Sequence, residues 1–303
     1  MKPSHLAGCC AFLGRYRPSA PHIPSVLAGI SYVAPGDEPL YNYMYEPLDG
    51  SPQHNCKYEV RTVRITDARG LSDAPSVHAA GFELWDAPSE VVNFRDEDEV
   101  RNVYYEECAH LACAVTGGSR GYVFDYQVRK REKGRPSLTF GRHGDGSNPA
   151  AAGRIHNDYT EASGRKRLAL VLEDPDKATS VQRYCIVNIW RSIAGPILDT
   201  PLALCDSRSV TVSDLHVSEI RYQGRNGEIY LLSHSTRHQW FYYSRMHRHD
   251  ALVFKQYDSQ VSGVARYTPH AAFDLPNIPF DAPLRESIEV RCLVVMDETS
   301  SGQ

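Results

Sequence analysis

His156 and Asp158 stand two residues apart in RIHNDYTEASG, the stretch from Arg154 to Gly164, in a segment that does not read as a helix. On an extended strand, residues i and i+2 project to one face, so the imidazole and the carboxylate converge on one point. A second histidine from a distant strand would complete two imidazoles and a carboxylate on one face of an octahedral Fe(II). Three positions then stay open for a cosubstrate and O2. The C-terminal half offers His216, His234, His238, His247, His249 and His270. His270 is the favoured partner, because it sits in ARYTPHAAFDLP, 15 residues before Arg285, and is expected to begin the last strand pair. His247 and His249 lie in SRMHRHDA, which reads as a polar turn, and remain the alternatives.

The stretch RESIEVR, residues 285–291, carries a second chemical signal. Strand alternation puts Arg285, Ser287, Glu289 and Arg291 on one face, and Ile288 and Val290 on the other. An arginine fork with a hydroxyl two residues on suits a terminal carboxylate, such as the C5 carboxylate of 2-oxoglutarate. Arg291 shares that face and is the alternative anchor. HxD, RxS and a lone histidine are each common by themselves. Their order along a strand-rich chain is what points to a metal oxygenase.

The elements that must position these groups are mostly strands. From Arg183 onward, RYCIVNIWRSI, GEIYLLSHS, HQWFYYSRM, DALVFKQYD and RESIEVRCLVV are β-branched or aromatic runs separated by turn residues, the pattern of an antiparallel barrel or jelly roll. Lys57–Thr66 alternates as a strand, and EDEVRNVYYEECAHLACAV has helical period over about 97–115 before a Gly117–Gly118 stop. A second helix is expected at about 174–182. Residues 1–55, rich in Pro and Tyr, read as an extended arm with a strand or two. The expected organisation is one domain over 1–303, with a β core at about 150–296 carrying the metal site.

Composition narrows the function classes. The chain has 303 residues, 42 % of them hydrophobic, and a formal net charge of −4. That balance argues against a nucleic-acid binder. The basic run Arg129–Arg135 (RKREKGR) reads as a solvated loop rather than a phosphate site. No run approaches the ~18 apolar residues of a membrane span. The eight cysteines, Cys9, Cys10, Cys56, Cys108, Cys113, Cys185, Cys205 and Cys292, form no CxxC pair, and the N-terminus is a poor signal peptide. A cytoplasmic protein with reduced thiols is expected. The WFYY run at 240–243 reads as packing rather than substrate contact, and Lys255 as readily as a structural ion-pair partner.

The chain resembles the fungal and bacterial oxygenases grouped with the cephalosporin 7-alpha-hydroxylase subunit, the gibberellin desaturase and the aspergillic acid hydroxylase. The segments that carry the resemblance are IHNDYT (155–160), IVNIWRSIAGPILDTPLALCDSRSV (186–210), GEIYLLSH (227–234), WFYYSRM (240–246), LVFKQYDS (252–259), ARYTPHAAFD (265–274) and PLRESIEVR (283–291). It implies a mainly β protein with flanking helices on a double-stranded β-helix (jelly roll, cupin-like) core. It also implies Fe(II), with 2-oxoglutarate and O2 as cosubstrates. Residue by residue, His156, Asp158 and His270 match the metal ligands, and Arg285 with Ser287 the cosubstrate anchor. Asn188, Arg191 and Tyr257 belong to family-like segments and are secondary candidates for the cosubstrate side, with Arg291. Family patterns often have Pro in NxWRPI, where this chain has Ser192. Asp158 is kept, whereas halogenating relatives replace that carboxylate.

These readings together imply hydroxylation of an unactivated carbon in a small-molecule secondary metabolite, with release of succinate and CO2. Desaturation or another oxidative rearrangement is the alternative. A non-catalytic β-barrel binding protein and a Zn(II) hydrolase on the same three ligands are the competing classes. No nucleic-acid or membrane partner is expected, and the oligomeric state is open, a homodimer included.

Overall fold

The computed structural model describes residues 14–15, 24–131 and 152–296. Cys9, Cys10 and the Glu132–Arg135 end of the basic run lie outside the described residues. Before residue 131 the strands are β1 (Gly14–Arg15), β2 (Ser25–Val33), β3 (Leu40–Tyr43), β4 (Tyr58–Asp67), β5 (Phe82–Asp86) and β6 (Arg120–Lys130). After residue 152 come β7 (His156–Asn157), β8 (Arg183–Ser192), β9 (Leu202–Cys205), β10 (Leu215–Tyr222), β11 (Arg225–Leu232), β12 (Trp240–Tyr242), β13 (Asp250–Asp258), β14 (His270–Ala272) and β15 (Glu286–Met296). One sheet has the order β1-β5-β13-β8-β15-β6 and the other β2-β4-β12-β9-β14-β7-β11-β10-β3.

From β6 to β15 the chain steps between the two sheets, except where β9 through β12 stay in one. The neighbours β13-β8-β15-β6 and β12-β9-β14-β7 are all antiparallel. That is the double-stranded β-helix the resemblance implies. The hairpin β10–β11 is inserted between β9 and β12, and β11 flanks the ligand strand by pairing Leu231 with His156. β2 to β5, all before residue 150, extend the two sheets.

Period-two alternation divides β15 cleanly. Ile288, Val290, Cys292 and Val294 pack under a helical layer with Val187, Ile189, Val253, Tyr104 and Leu111. Ser287, Glu289 and Arg291 point the other way, between the sheets. The helical layer is continuous over 97–116: α1 (Glu97–Glu99), a π turn (Val100–Tyr104) and α2 (Tyr105–Thr116). Asp96 caps its start by accepting from the amides of Asp98 at 2.9 Å and Glu99 at 3.2 Å, and Gly117, at φ 74°, ends it. Burying each large aliphatic side chain of this layer contributes roughly 1.5–3 kcal/mol. Among the described residues no helix is long and apolar enough to cross a membrane.

Three sequence expectations change. The last two strands do not pair, because β14 belongs to one sheet and β15 to the other. The basic run does not begin as a loop: Arg129 and Lys130 close β6, and the Arg131 amide continues the ladder to the Arg285 carbonyl at 2.8 Å. A helix expected nowhere, α3 (Glu161–Leu172), follows the HxD motif directly, ahead of the short α4 (Pro175–Ser180). Thr160 and Ser163 form a reciprocal capping box at its start. The polar EASGRKR half hides its helical period.

Helix α3 docks closely on β13. A Cβ at Gly164 would lie 2.7 Å from Cγ of the Tyr257 ring, the stiff end of that side chain. Glu161, on its first turn, accepts from Tyr257 at 3.0 Å and Arg165 at 2.9 Å, and also pairs with Arg266. Partial burial alone would raise this carboxyl, but these donors outweigh it and hold it at about 2, below the ordinary 4.5.

Two outcomes are expected. Gly164→Ala gains about 1 kcal/mol of helix propensity but overpacks the interface by about 1–3 kcal/mol, so its melting temperature should fall. An unchanged or higher melting temperature would contradict the close docking. Because the folded Glu161 carboxyl is depressed, its contribution is complete above about pH 4.5 and disappears as pH falls toward 2. Melting curves across that window should therefore drop more steeply for the wild type than for Glu161→Gln, and parallel curves would remove Glu161 from the acid response.

Candidate metal centre

Strands β7 and β14 run side by side with His156 and His270 in register, and their rings lie 4.4 Å apart. Asp158 follows β7 and returns to the same point. One donor atom from each of His156, Asp158 and His270 lies within 4.8 Å of the others. His247 and His249 are exposed, and His216, His234 and His238 are not in this group.

Each ligand is oriented by a second partner. Nδ1 of His156 lies 2.8 Å from the Arg154 carbonyl, and Nδ1 of His270 lies 3.1 Å from the Thr268 carbonyl. A carbonyl only accepts, so both rings carry their proton on Nδ1 and present the Nε2 lone pair. Oδ2 of Asp158 accepts from Asn188 Nδ2 and Arg291 Nε, each at 2.9 Å. That leaves Oδ1, 3.4 Å from His156 Nε2, directed into the group. The Asp158 amide donates to Gln256 Oε1 at 2.7 Å. Phe254 packs edge-on to His270 at 4.8 Å.

The electrostatics suit a cation. Burial, followed by the neighbouring His156, pushes the His270 imidazole down to about 3, so it stays neutral. Burial alone would raise Asp158, but Arg291 first, and then the two imidazoles, hold it well below the usual carboxylate range. Two imidazoles that present Nε2 and an ionised carboxylate on one point are the donor set of a facial-triad Fe(II) site. Beside them, Oδ1 of Asn188 is buried with no hydrogen-bond partner. An amide aimed this way, with its NH2 committed to Asp158, leaves an acceptor for a group bound at the centre. The residues fit the metal.

On the facing sheet, Arg285 is buried against Trp190, its guanidinium 5.1 Å from the ring centre. Nε donates to Ser287 Oγ at 3.3 Å and Nη1 to the Thr200 carbonyl at 2.9 Å. Burial, and next the charge of Arg129, push Arg285 down to about 10. Arg291 is engaged differently: its three guanidinium nitrogens meet Asp158 at 2.9 Å, Asp125 at 2.8 Å and Glu289 at 3.2 Å.

The remaining candidates separate. Asn188 faces the metal group. Arg191, three residues on, points to the other side of β8, where Nε donates to Tyr104 at 2.8 Å and Nη1 to Ala87 at 2.9 Å. Tyr257 packs in tilted ring contacts with Tyr184 and Tyr267, against α3. Lys255 forms a fully buried ion pair with Asp258 at 2.8 Å. Sequence reasoning missed Gln256, Asn157, Glu289 and Phe254 as neighbours of the centre. Gln256 had a signal, as one of two consecutive polar residues inside the apolar run LVFKQYD.

The chain is similar to known proteins. A family model described as an Oxidoreductase/YMDC permease-like domain matches residues 30–295. The chain is 33 % identical over 266 residues to the Fe(II)/2-oxoglutarate-dependent dioxygenase nvfI of Aspergillus novofumigatus, covering 85 % of this chain and 91 % of that one. It is 29 % identical over 286 residues to the hydroxylase/desaturase CTB9 of Cercospora beticola, covering 85 % and 86 %. A solved structure of the iron and alpha-ketoglutarate-dependent endoperoxidase NvfI superposes with a TM-score of 0.77 at 27 % identity, over 90 % of this chain and 98 % of that chain.

His270→Ala should lose Fe(II) after anaerobic reconstitution and desalting, as measured by metal analysis, while His247→Ala retains it. Full occupancy in His270→Ala would move the third ligand elsewhere.

Proposed function

Because this chain belongs to the Fe(II)/2-oxoglutarate-dependent dioxygenases, among hydroxylases and desaturases, we propose that it hydroxylates an unactivated carbon of a small-molecule secondary metabolite. The observation that carries the reading is the convergence of His156, Asp158 and His270 within 4.8 Å, facing a buried Arg285–Ser287 pair. In this reading the three residues hold Fe(II), and Arg285 with Ser287 holds the far carboxylate of 2-oxoglutarate. With O2, the bound iron and cosubstrate supply the oxidation, releasing succinate and CO2.

The chain's own work is positional. Arg291 and Asn188 fix Asp158 so that one carboxylate oxygen faces the metal. The two backbone carbonyls fix the imidazole tautomers. Trp190 and Phe254, both buried, help keep water from the centre. No side chain has to take a proton from the substrate. The retained Asp158 supports oxygen transfer over halogenation. We also read the chain as one oxygenase domain working in the cytoplasm, supported by six described cysteines that are all free.

Fe(II)-reconstituted protein, 2-oxoglutarate and O2 are to be screened against small metabolites, following succinate and product mass. A gain of one oxygen is the expected product, and loss of two hydrogens would show desaturation instead. A gain of two oxygens would replace both readings with an endoperoxide-forming one. Arg285→Gln should raise the 2-oxoglutarate requirement by about a hundredfold or more while iron binding persists. Full turnover by the wild type without 2-oxoglutarate would refute the reading.

A further inference from the structure

The basic run begins with a residue that strand geometry turns inward. Arg129 lies on β6 directly opposite Ser287 of β15. Opposed residues on antiparallel strands project to the same face, with Cβ atoms about 4.5–5.5 Å apart. Ser287 is buried and bonded to Arg285, so Arg129 enters the same space between the sheets. Its electrostatic neighbours are Glu289, Arg291 and Asp158, on the metal side. Arg285, on the other side, feels Arg129 as its strongest charged neighbour. Half-buried Arg129 is thus within electrostatic reach of both the metal carboxylate and the anchor. Arg131, the next residue on that face, pairs with Asp199 at 3.4 Å and Asp274 at 2.8 Å.

We propose that Arg129 is a second cosubstrate-binding residue, joining Arg285 and Ser287 on the far carboxylate of 2-oxoglutarate. The proposal rests on the anchor assignment made above. A half-buried guanidinium and a fully buried one held near each other repel, and an anion between them turns that repulsion into two attractions. A single buried arginine would leave part of a carboxylate's hydrogen-bonding capacity unused, whereas cations from two adjacent strands enclose it from both sides. Selectivity for a five-carbon dianion over a shorter 2-oxo acid then comes from two strands rather than one.

The test is binding without turnover. Zn(II)-loaded protein is titrated calorimetrically with 2-oxoglutarate and with 2-oxobutyrate, which keeps the 2-oxo acid head but lacks the far carboxylate. Arg129→Gln should weaken 2-oxoglutarate about tenfold to a hundredfold, the loss expected of one charge-assisted contact, and leave 2-oxobutyrate unchanged. Arg129→Lys, which keeps the charge, should recover part of the loss and guards against misfolding of the Gln variant. Arg285→Gln is the reference. If it loses 2-oxoglutarate while Arg129→Gln binds like wild type, the proposal is overturned and the anchor stands. If neither variant weakens binding, the anchor assignment fails and this proposal with it. If Arg129→Gln weakens both ligands equally, Arg129 acts at the metal end and the proposal is wrong.

Discussion

The geometry of the centre depends on the side chain of Asn157, the residue between two of its ligands. Strand alternation sends His156 and Asp158 one way and Asn157 the other, into the protein interior, where it is completely buried. Its Nδ2 donates to the carbonyls of Tyr159 at 2.8 Å and Gln256 at 2.9 Å. Its Oδ1 accepts from the Thr268 amide at 3.0 Å. One amide therefore joins the HxD strand, β13 and the segment leading to His270. Each bond contributes about 0.5–1.5 kcal/mol net, but a lost partner leaves a buried group unsatisfied at about 1–3 kcal/mol. An apolar residue between the ligands would keep both of them and lose the frame that makes them meet.

The rest of that frame is a bulge. The pairing of β13 with β8 skips from Lys255 to Tyr257, and the extra residue, Gln256, bonds the Asp158 amide. Lys255 and Asp258 bracket it with a fully buried ion pair, and Asp258 also accepts from Arg183 at 3.1 Å. Such a pair is a poor source of net stability, because desolvation cancels most of the attraction. Its value here is geometric, since it spans the bulge that delivers Gln256. On the same strand Lys255 donates its amide to the Gly81 carbonyl at 2.7 Å. Gly81, at φ 93°, lies so near Thr268 that a Cβ would come within 2.3 Å of Thr268 Oγ1. The segment before His270 is thus pressed against β13 from two sides.

What the sequence made legible follows from period two. His156 with Asp158, and Arg285 with Ser287, are even spacings on strands, and each pair does share a face. The same rule already separated Asn188 from Arg191, whose odd spacing forbids a common face. Their joint candidacy came from family resemblance, and β8 sends one to the metal group and the other to Tyr104. Helix α3 was illegible because its apolar stripe is short, although its Thr160–Ser163 box was present. The basic run misled because charge was weighed without register: opposite Ser287 on an inward face, an arginine is no longer a solvated group. The change of sheet between β14 and β15 could not be read from spacing, since nothing local distinguishes a hairpin partner from a strand of the facing sheet.

The distribution of charge explains why the fold accepts so much polarity inside. Beyond Glu286, which pairs with Arg95 and Lys130 at its start, the face of β15 toward the helical layer is apolar, and the large cluster there supplies hydrophobic stabilisation at a distance from the chemistry. Its other face carries Arg285, Ser287, Glu289 and Arg291 in succession. Burial raises the Glu289 carboxyl, while Arg291 opposes that rise and bonds Asp158 as well. Alternating signs along one strand let each charge be the partner of the next, so the interior holds ionised groups without isolating any of them. Separating the two faces of a single strand in this way makes one β15 both a structural wall and the inner surface of the site. Substitutions on its outer face should therefore register as stability, and those on its inner face as function.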